Sequence, residues 1–316
     1  MFNIKSKTIL IVILMLAITL FIVNPKICME ATLQGMRVWG LNVVPALFPF
    51  FILTRIIIML NQTSIPVLDK FTTKFFNTSN AGLVYFLSMI SGYPVGAKMI
   101  SGYYQSGAIS KATATKMFSF CSTSGPMFII GTVGIGVFAD VKVGYVLLIG
   151  HIIGGFLNGL LYRGKTIPQN QFKRTINKSS LNDIMYDSIT SILMVGGYIV
   201  FSSVIIELLT LSNILPALTQ LICNITSVDY SVVYSLLCGL IEITNGLIML
   251  GKTSTNIQLK IILSSAIIAF SGLCIMLQSN AFLESININK FSIVVQKLTQ
   301  TIFSVLVTVL LVLIVY

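Results

Sequence analysis

The chain has 316 residues, of which 55% are hydrophobic and only 9% are charged, and its mean hydropathy is +0.94. Because a soluble domain carries about 25% charged residues, this composition excludes a soluble protein and indicates an integral membrane protein. The formal charge of +11 does not indicate a nucleic-acid partner, since the lysines and arginines lie mostly in short connections, as positive-inside topology requires.

The first predicted element is a transmembrane helix within residues 1–30. Lys5 and Lys7 precede an apolar run over residues 8–23, as in a secretion signal, but no small-x-small cleavage site follows. The residues before Cys28 do not fit a lipoprotein signal either. We therefore expect a retained first helix whose N-terminus lies on the cytoplasmic side.

Eight further segments of membrane length follow, and no soluble domain fits between them. The predicted fold is an all-α polytopic membrane protein with about seven to nine membrane segments. The further segments are residues 41–60, 83–100, 117–138, 143–162, 184–209, 228–251, 261–283 and 301–316.

Two connections differ in charge and thereby predict the topology. The connection 163–183 is strongly basic, with no acidic residue before Asp183, whereas the connection 210–227 carries no charge. By the positive-inside rule the first is predicted to be cytoplasmic and the second external. The basic residues are Arg163, Lys165, Lys173, Arg174 and Lys178.

The order of segments repeats, which predicts two related halves. Residues 38–162 contain a helix, two broken segments and a helix, and residues 184–316 contain the same series. If one broken segment in each half enters the membrane and returns, the basic connection lies inside, in accord with its charge. The halves then have opposite orientations, which is the inverted-repeat plan of many secondary transporters. The alternative is nine simple spans with an exception to the charge rule.

The first broken segment contains the stretch SGYPVGAK, residues 91–98. Glycine and proline interrupt the helical hydrogen bonds, and a half-helix that begins near Pro94 would point its positive end at an anionic group. Lys98 lies one turn further along. The alternative is a proline kink used only for packing, with Lys98 reaching the lipid headgroups. The candidate substrate-binding residues are Ser91, Gly92, Tyr93, Pro94, Gly96 and Lys98.

The second broken segment contains the stretch CSTSGPMF, residues 121–128. Small polar residues before a proline predict a helix break with hydroxyl groups free to bind a substrate, although small residues also serve close helix packing. If the break lines an aqueous cavity, we expect the Cys121 thiol to meet water. The candidate substrate-binding residues are Ser122, Thr123, Ser124, Gly125 and Pro126.

The second half has breaks at GLIEITNGL and AFSGLCIMLQS. An intramembrane carboxylate is a candidate for function, so Glu242 is interpreted as a cation or proton ligand or as the partner of Lys98. We predict that these two residues lie near each other across the interface between the halves. Arg55 and Glu207 are interpreted as snorkelling anchors. The candidate substrate-binding residues are Glu242, Thr244, Asn245, Gly246, Ser271, Gly272 and Gln278.

The sequence gives no pattern for metal or covalent chemistry. The five cysteines have no spacing suited to zinc, and His151 is the only histidine, interpreted as a packed polar residue or a neighbour of the polar site. No Gly-x-Ser-x-Gly elbow is present. We therefore expect no metal, no cofactor and no enzymatic activity.

Several stretches, in their order along the chain, resemble one known family. These are NVVPALFPFFILTR, SGYPVGAKMI, FCSTSGPMFIIGTVGIGVF and AFSGLCIMLQ. The chain resembles sporulation integral membrane proteins of the YlbJ type, within the wider group that has nucleoside-recognition, or Gate, domains. The resemblance implies a polytopic protein of a spore-forming bacterium, with two Gate-like halves. It further implies a role in moving dipicolinic acid across the outer forespore membrane.

Dipicolinate is a small rigid dianion with an aromatic ring, so Lys98, Tyr93 and the hydroxyls near Ser122 would suit it. Glu242 would have to be protonated, coupled to an ion or paired with Lys98. The leading interpretation is a transporter or permease in the lipid bilayer with a small anionic substrate, and it allows a coupling proton or cation and a homo-oligomer. The alternatives are a non-transporting assembly or scaffold protein of the developing spore, or a transporter of nucleosides or other small solutes.

Overall fold

The structure is a computed structural model that describes residues 4–60, 65–164 and 180–316, and all regular elements in these ranges are helices. Residues 165–179 of the predicted basic connection, among them Lys165, Lys173, Arg174 and Lys178, lie outside the described residues. The all-α prediction is confirmed for the described part of the chain.

The described residues up to 164 form eight α-helices and two π-helical segments. A π-helical turn, Val38–Val43, joins α2 to α3, and a π-helix, Met127–Val137, lies between α7 and α8. The α-helices are α1 (Ile4–Val23), α2 (Pro25–Arg37), α3 (Val44–Leu60), α4 (Pro66–Phe76), α5 (Gly82–Ser91), α6 (Val95–Gln105), α7 (Lys111–Cys121) and α8 (Val141–Leu161).

The helices of the second half follow the same order. A single 3₁₀ turn, Glu284–Ile286, follows α14. The α-helices are α9 (Leu181–Leu211), α10 (Ile214–Thr226), α11 (Tyr230–Ile241), α12 (Ile243–Gly251), α13 (Ile257–Phe270), α14 (Gly272–Leu283) and α15 (Lys290–Val315). In each half a long helix precedes a short helix, two interrupted pairs and a second long helix.

Five helical stretches in the described ranges are long and apolar enough to cross a membrane. At 1.5 Å rise per residue, about 20 residues cross the hydrocarbon core. The interrupted pairs reach a similar length only as pairs, because each member has 9 to 14 residues. The five stretches are Pro25–Ile57, Val141–Leu161, Leu181–Leu211, Ile257–Ile286 and Lys290–Val315.

The connection 210–227 differs from the plain external connection predicted for it. It contains α10, a helix of 13 residues, which is too short to span a membrane. Exposed apolar side chains recur every three or four residues along α10, at Ile214, Leu218, Leu221 and Ile225. This spacing is typical of an amphipathic helix. The prediction for this connection rested on its lack of charge and did not include a helix.

The initial long helices of the two halves pack side by side in antiparallel orientation. A Cβ on Gly35 would lie 2.9 Å from Val200 Cα, and the Trp39 indole donates a hydrogen bond of 3.0 Å to the Ile192 carbonyl. Further along α3, Arg55 Nη2 lies 2.9 Å from Asp187 Oδ2, nearer the start of α9. Because residue numbers rise along α2–α3 as they fall along α9, the two helices run in opposite directions.

The final long helices, α8 and α15, are antiparallel as well. Asn158 Nδ2 donates a hydrogen bond of 3.2 Å to the Gln296 carbonyl, so the end of α8 meets the start of α15. Tyr316 Oη donates to Asp140 Oδ2 over 3.2 Å at the opposite ends. We call the end of the bundle where α8 ends and α9 begins end A, and the opposite end, where α8 begins and α9 ends, end B.

In each half, the first interrupted pair returns to the end where it began. Asn77, before α5, accepts a hydrogen bond from Arg163 after α8, whereas Gln105, at the end of α6, donates to Ser285 before α15. All four residues lie at end A. In the second half, α11 begins near the end of α9, and α12 ends against Val137, both at end B.

Candidate functional site

The two breaks of the first half cross each other in direct backbone contact. Gly92 has φ +77°, a conformation that suits glycine, and a Cβ there would overlap the Gly125 backbone nitrogen. A Cβ on Gly96 would overlap the Cys121 carbonyl oxygen. The small residues of both motifs are therefore required for this crossing, and α6 begins at Val95, directly after Pro94, as predicted.

The breaks of the second half are also in backbone contact. A Cβ on Gly272, at φ +63°, would lie 3.0 Å from the Gly239 carbonyl oxygen beside the other break, and a Cβ on Gly246 would overlap Gly239 within that interrupted pair. Glu242 ends α11 and caps α12. Its carboxylate accepts the backbone N–H groups of Thr244 at 3.1 Å and of Asn245 at 2.8 Å. These bonds satisfy two donors that a helix start leaves without a partner.

Lys297 lies at the crossing of the first half, although it belongs to α15. Its side chain is 2% exposed, and Nζ donates to Tyr93 Oη at 2.9 Å, to the Ser122 carbonyl at 2.5 Å and to Gln300 Oε1 at 2.9 Å. The amino group also lies 4.6 Å from the centre of the Tyr93 ring. A buried lysine thus contacts both broken segments through their uncharged groups.

Lys297 lies outside the last predicted segment, which begins at residue 301. α15 begins at Lys290, so Lys297 lies about two turns after the start of the helix. A signal was present: buried polar residues recur every three or four positions along this helix, which predicts one polar face directed into the protein. They are Gln296, Lys297, Gln300, Ser304 and Thr308.

The two halves meet at a small cavity, which we call the central cavity. Its volume is about 40 Å³, which is enough for one or a few water molecules and too little for a solute with a ring. Residues from both halves line it, so the cavity lies at their interface. Among the predicted site residues these are Tyr93, Ser124, Gly125, Glu242, Thr244 and Gln278.

Most of the other predicted site residues form hydrogen bonds close to the two crossings. Ser91 shares a hydrogen bond of 2.6 Å with Thr54, Thr123 donates to the Ser88 carbonyl over 3.3 Å, and the Ser124 N–H donates to His151 Nε2 over 2.8 Å. Asn245 Nδ2 donates to Ser203 over 2.9 Å, and Gln278 Nε2 donates to Cys274. Ser271 is buried where α13 meets α14, and within the described part of the chain the buried hydroxyl of Ser122 has no hydrogen-bond partner. Pro126 directly precedes the π-helix.

The prediction that Lys98 pairs with Glu242 is wrong. Lys98 Nζ donates to Ser191 Oγ at 2.7 Å and lines a separate cavity toward end A, whereas Glu242 lines the central cavity. The geometry of α6 explains why Lys98 does not reach Glu242. Gly96 faces the second break, and a helix turns by about 200° over two residues. Lys98 therefore faces away from the crossing. The cation at the crossing is Lys297.

Cys121 does not line the central cavity, contrary to the expectation that its thiol meets water. Its side chain is 1% exposed and belongs to the apolar core around Phe118 and Phe120. Ser124 and Gly125, which follow it in the break, face the cavity instead. Among residues 4–60, 65–164 and 180–316, no three histidine, cysteine, aspartate or glutamate side chains lie close enough to hold a metal ion.

These features define a class: a polytopic helical membrane protein in which four interrupted segments meet around buried polar residues. No family model and no solved structure matches the chain. It is 30% identical, over 339 residues, to the sporulation integral membrane protein YlbJ of Bacillus subtilis (strain 168), covering 97% of this chain and 83% of that protein. The chain therefore belongs to the YlbJ family of sporulation integral membrane proteins. This membership gives it a membrane role in sporulation.

Proposed function

We propose that the protein is a transporter that moves the small dianion dipicolinate across the outer forespore membrane. The observation that carries the proposal is the buried lysine Lys297 at the crossing of two broken helices. Within the described residues, the one ion pair is Arg55–Asp187, so no carboxylate of the described chain pairs with Lys297. A lysine that is buried without a counter-charge favours the neutral amine, and a carboxylate ligand would stabilise its ammonium form.

The transporter is proposed to have inverted repeats. The antiparallel packing of α2–α3 with α9 and of α8 with α15 supports this, because equivalent helices of inverted halves run in opposite directions. Each half then crosses the membrane three times and adds one re-entrant pair, α5–α6 from end A and α11–α12 from end B. With α1, the chain crosses about seven times, and the positive-inside rule places end A in the cytoplasm.

The closed central cavity is proposed to be one state of an alternating-access cycle. Dipicolinate does not fit into about 40 Å³, so binding requires the crossings of the two halves to separate. Tyr93 would offer its ring face to the substrate, and Lys297 its charge. Glu242 faces the same cavity from the second half, and we propose that it binds a coupling proton or cation rather than the dianion.

The test is uptake of radiolabelled dipicolinate by vesicles that contain only this protein. Lys297→Met should abolish uptake, because methionine keeps most of the volume but cannot bind a carboxylate. Lys290→Met is the matched control: it removes an exposed lysine from the first turn of the same helix and should transport normally. Label recovered from the lumen should be unaltered dipicolinate, since we propose transport without chemical change.

Three outcomes contradict the proposal. Uptake by Lys297→Met at the wild-type rate would show that the buried cation is not part of the path. Uptake of labelled nucleosides but not of dipicolinate would assign a different substrate. Absence of any uptake by well-folded protein, with sporulation still dependent on the gene, would favour an assembly or scaffold role.

A further inference from the structure

A second cavity lies between α3, α6, α9 and α14, toward end A, and we call it the end-A cavity. Its volume is about 250 Å³, several times that of the central cavity. Pro94 and Val95, at the start of α6, line it, while the neighbouring Tyr93 lines the central cavity. The two cavities are therefore separated by the first break of the first half.

Two basic residues line the end-A cavity, and the carboxylate of Asp187 pairs with one of them. Arg55 lines it and pairs with Asp187, and the side chains of this pair are 28% and 51% exposed. Lys98 also lines it and donates to Ser191, whose hydroxyl donates onward to the Asp187 backbone carbonyl over 2.6 Å. An ammonium group has three donors, and Lys98 uses one of them in the hydrogen bond to Ser191. The cavity thus has an excess of positive charge and of donors.

The wall of this cavity also has an unused hydroxyl group and aromatic surfaces. Ser188 is 1% exposed and lines the cavity, and no group in residues 4–60, 65–164 or 180–316 forms a hydrogen bond with its buried hydroxyl. Buried polar groups without a partner are rare, so a ligand or an ordered water is expected to bind there. Phe282 and Tyr103 line the cavity too, and Lys98 Nζ lies 5.8 Å from the centre of the Phe282 ring.

We infer that the end-A cavity is a second binding site for a small planar carboxylate, in which the ligand competes with Asp187 for Arg55. The inference rests on the proposed function and adds a docking site that precedes the central cavity. Arginine has five N–H donors, of which a bidentate carboxylate accepts two, so Asp187 leaves donors of Arg55 for a second carboxylate. Arg55 is on α3 of the first half and Asp187 is on α9 of the second. A ligand that displaces Asp187 therefore also breaks an ion pair that connects the two halves.

The test is equilibrium binding of dipicolinate to the purified full-length protein in detergent, by isothermal titration calorimetry. Lys98→Met and Arg55→Gln should each weaken binding by about tenfold, the effect of losing roughly one charge-assisted hydrogen bond. Asp187→Asn should strengthen binding several-fold, because it removes the competing carboxylate. Lys290→Met, which removes an exposed lysine from the first turn of α15, should bind as the wild type does.

The sign of the Asp187→Asn effect separates a binding site from a purely structural ion pair. If the pair only stabilises the fold, this variant binds no more tightly than the wild type, and the inference is overturned. Binding that is lost in Lys297→Met and kept in Lys98→Met would also overturn it, while leaving the proposed transport in place. If inorganic phosphate displaces dipicolinate and binds with equal affinity, the cavity is a general anion site. This result would contradict specificity for a planar carboxylate.

Discussion

The close crossing of the first two breaks predicts opposite effects for two glycine-to-alanine substitutions on α6. Both Gly96 and Gly102 are helical residues. A Cβ on Gly96 would overlap the Cys121 carbonyl oxygen and would lie 3.0 Å from the carbonyl carbon, whereas a Cβ on Gly102 would meet nothing within 4 Å. The two substitutions are chemically identical, so their difference measures the crossing alone.

The magnitudes follow from two opposing effects. Alanine stabilises a helix interior by about 0.5–1 kcal/mol relative to glycine, and this gain applies to both variants. Overpacking against a backbone that cannot move aside costs about 1–3 kcal/mol, and this loss applies only to Gly96→Ala. We therefore expect Gly96→Ala to lose about 1–2 kcal/mol and Gly102→Ala to gain up to about 1 kcal/mol.

The assay is the fraction of protein that stays monodisperse in detergent after heating, measured by size-exclusion chromatography. Because unfolding of membrane proteins in this assay is commonly irreversible, the midpoint is compared between variants at one heating rate. Gly96→Ala should have the lowest midpoint and Gly102→Ala the highest, with the wild type between them. Equal midpoints for both variants would show that α6 does not touch the second break, and the described crossing would then be wrong.

Further predictions concern topology, the long helices and coupling. Reporter fusions at Asn170 and Ser227 should report opposite sides of the membrane, and a common side would refute the inverted repeats. Asn158→Leu should lower the thermal midpoint with a loss of about 2–4 kcal/mol, because this buried amide bonds the Ser119 and Gln296 carbonyls; an unchanged midpoint would contradict that packing. Glu242→Gln should abolish the response of dipicolinate uptake to an imposed pH or cation gradient, and a retained response would remove Glu242 from coupling.

The sequence by itself determined the class of the protein and the positions of its helix breaks. A charged fraction of 9% cannot be reconciled with a soluble surface, and it depends only on composition. The breaks at Gly92–Pro94 and Ser122–Pro126 were predictable because proline lacks a donor and glycine weakens a helix, and both effects act within a few residues. The repeated order of elements could be predicted for the same reason, because it follows from the positions of the individual helices and breaks.

Tertiary structure alone decided which charged residues meet at the breaks. Lys297 contacts Tyr93 and Ser122, which are 204 and 175 positions away in the sequence. The polar face of α15 predicts that Lys297 points into the protein but not which residues it meets. Lys98 has the suitable spacing from Pro94, yet the rotation of α6 about its axis directs it toward α9. Local patterns fix where a helix begins and ends, but the face it presents to a neighbour depends on packing between distant segments. For this reason the sequence predicts the breaks, and only the fold shows which residues Lys297 contacts.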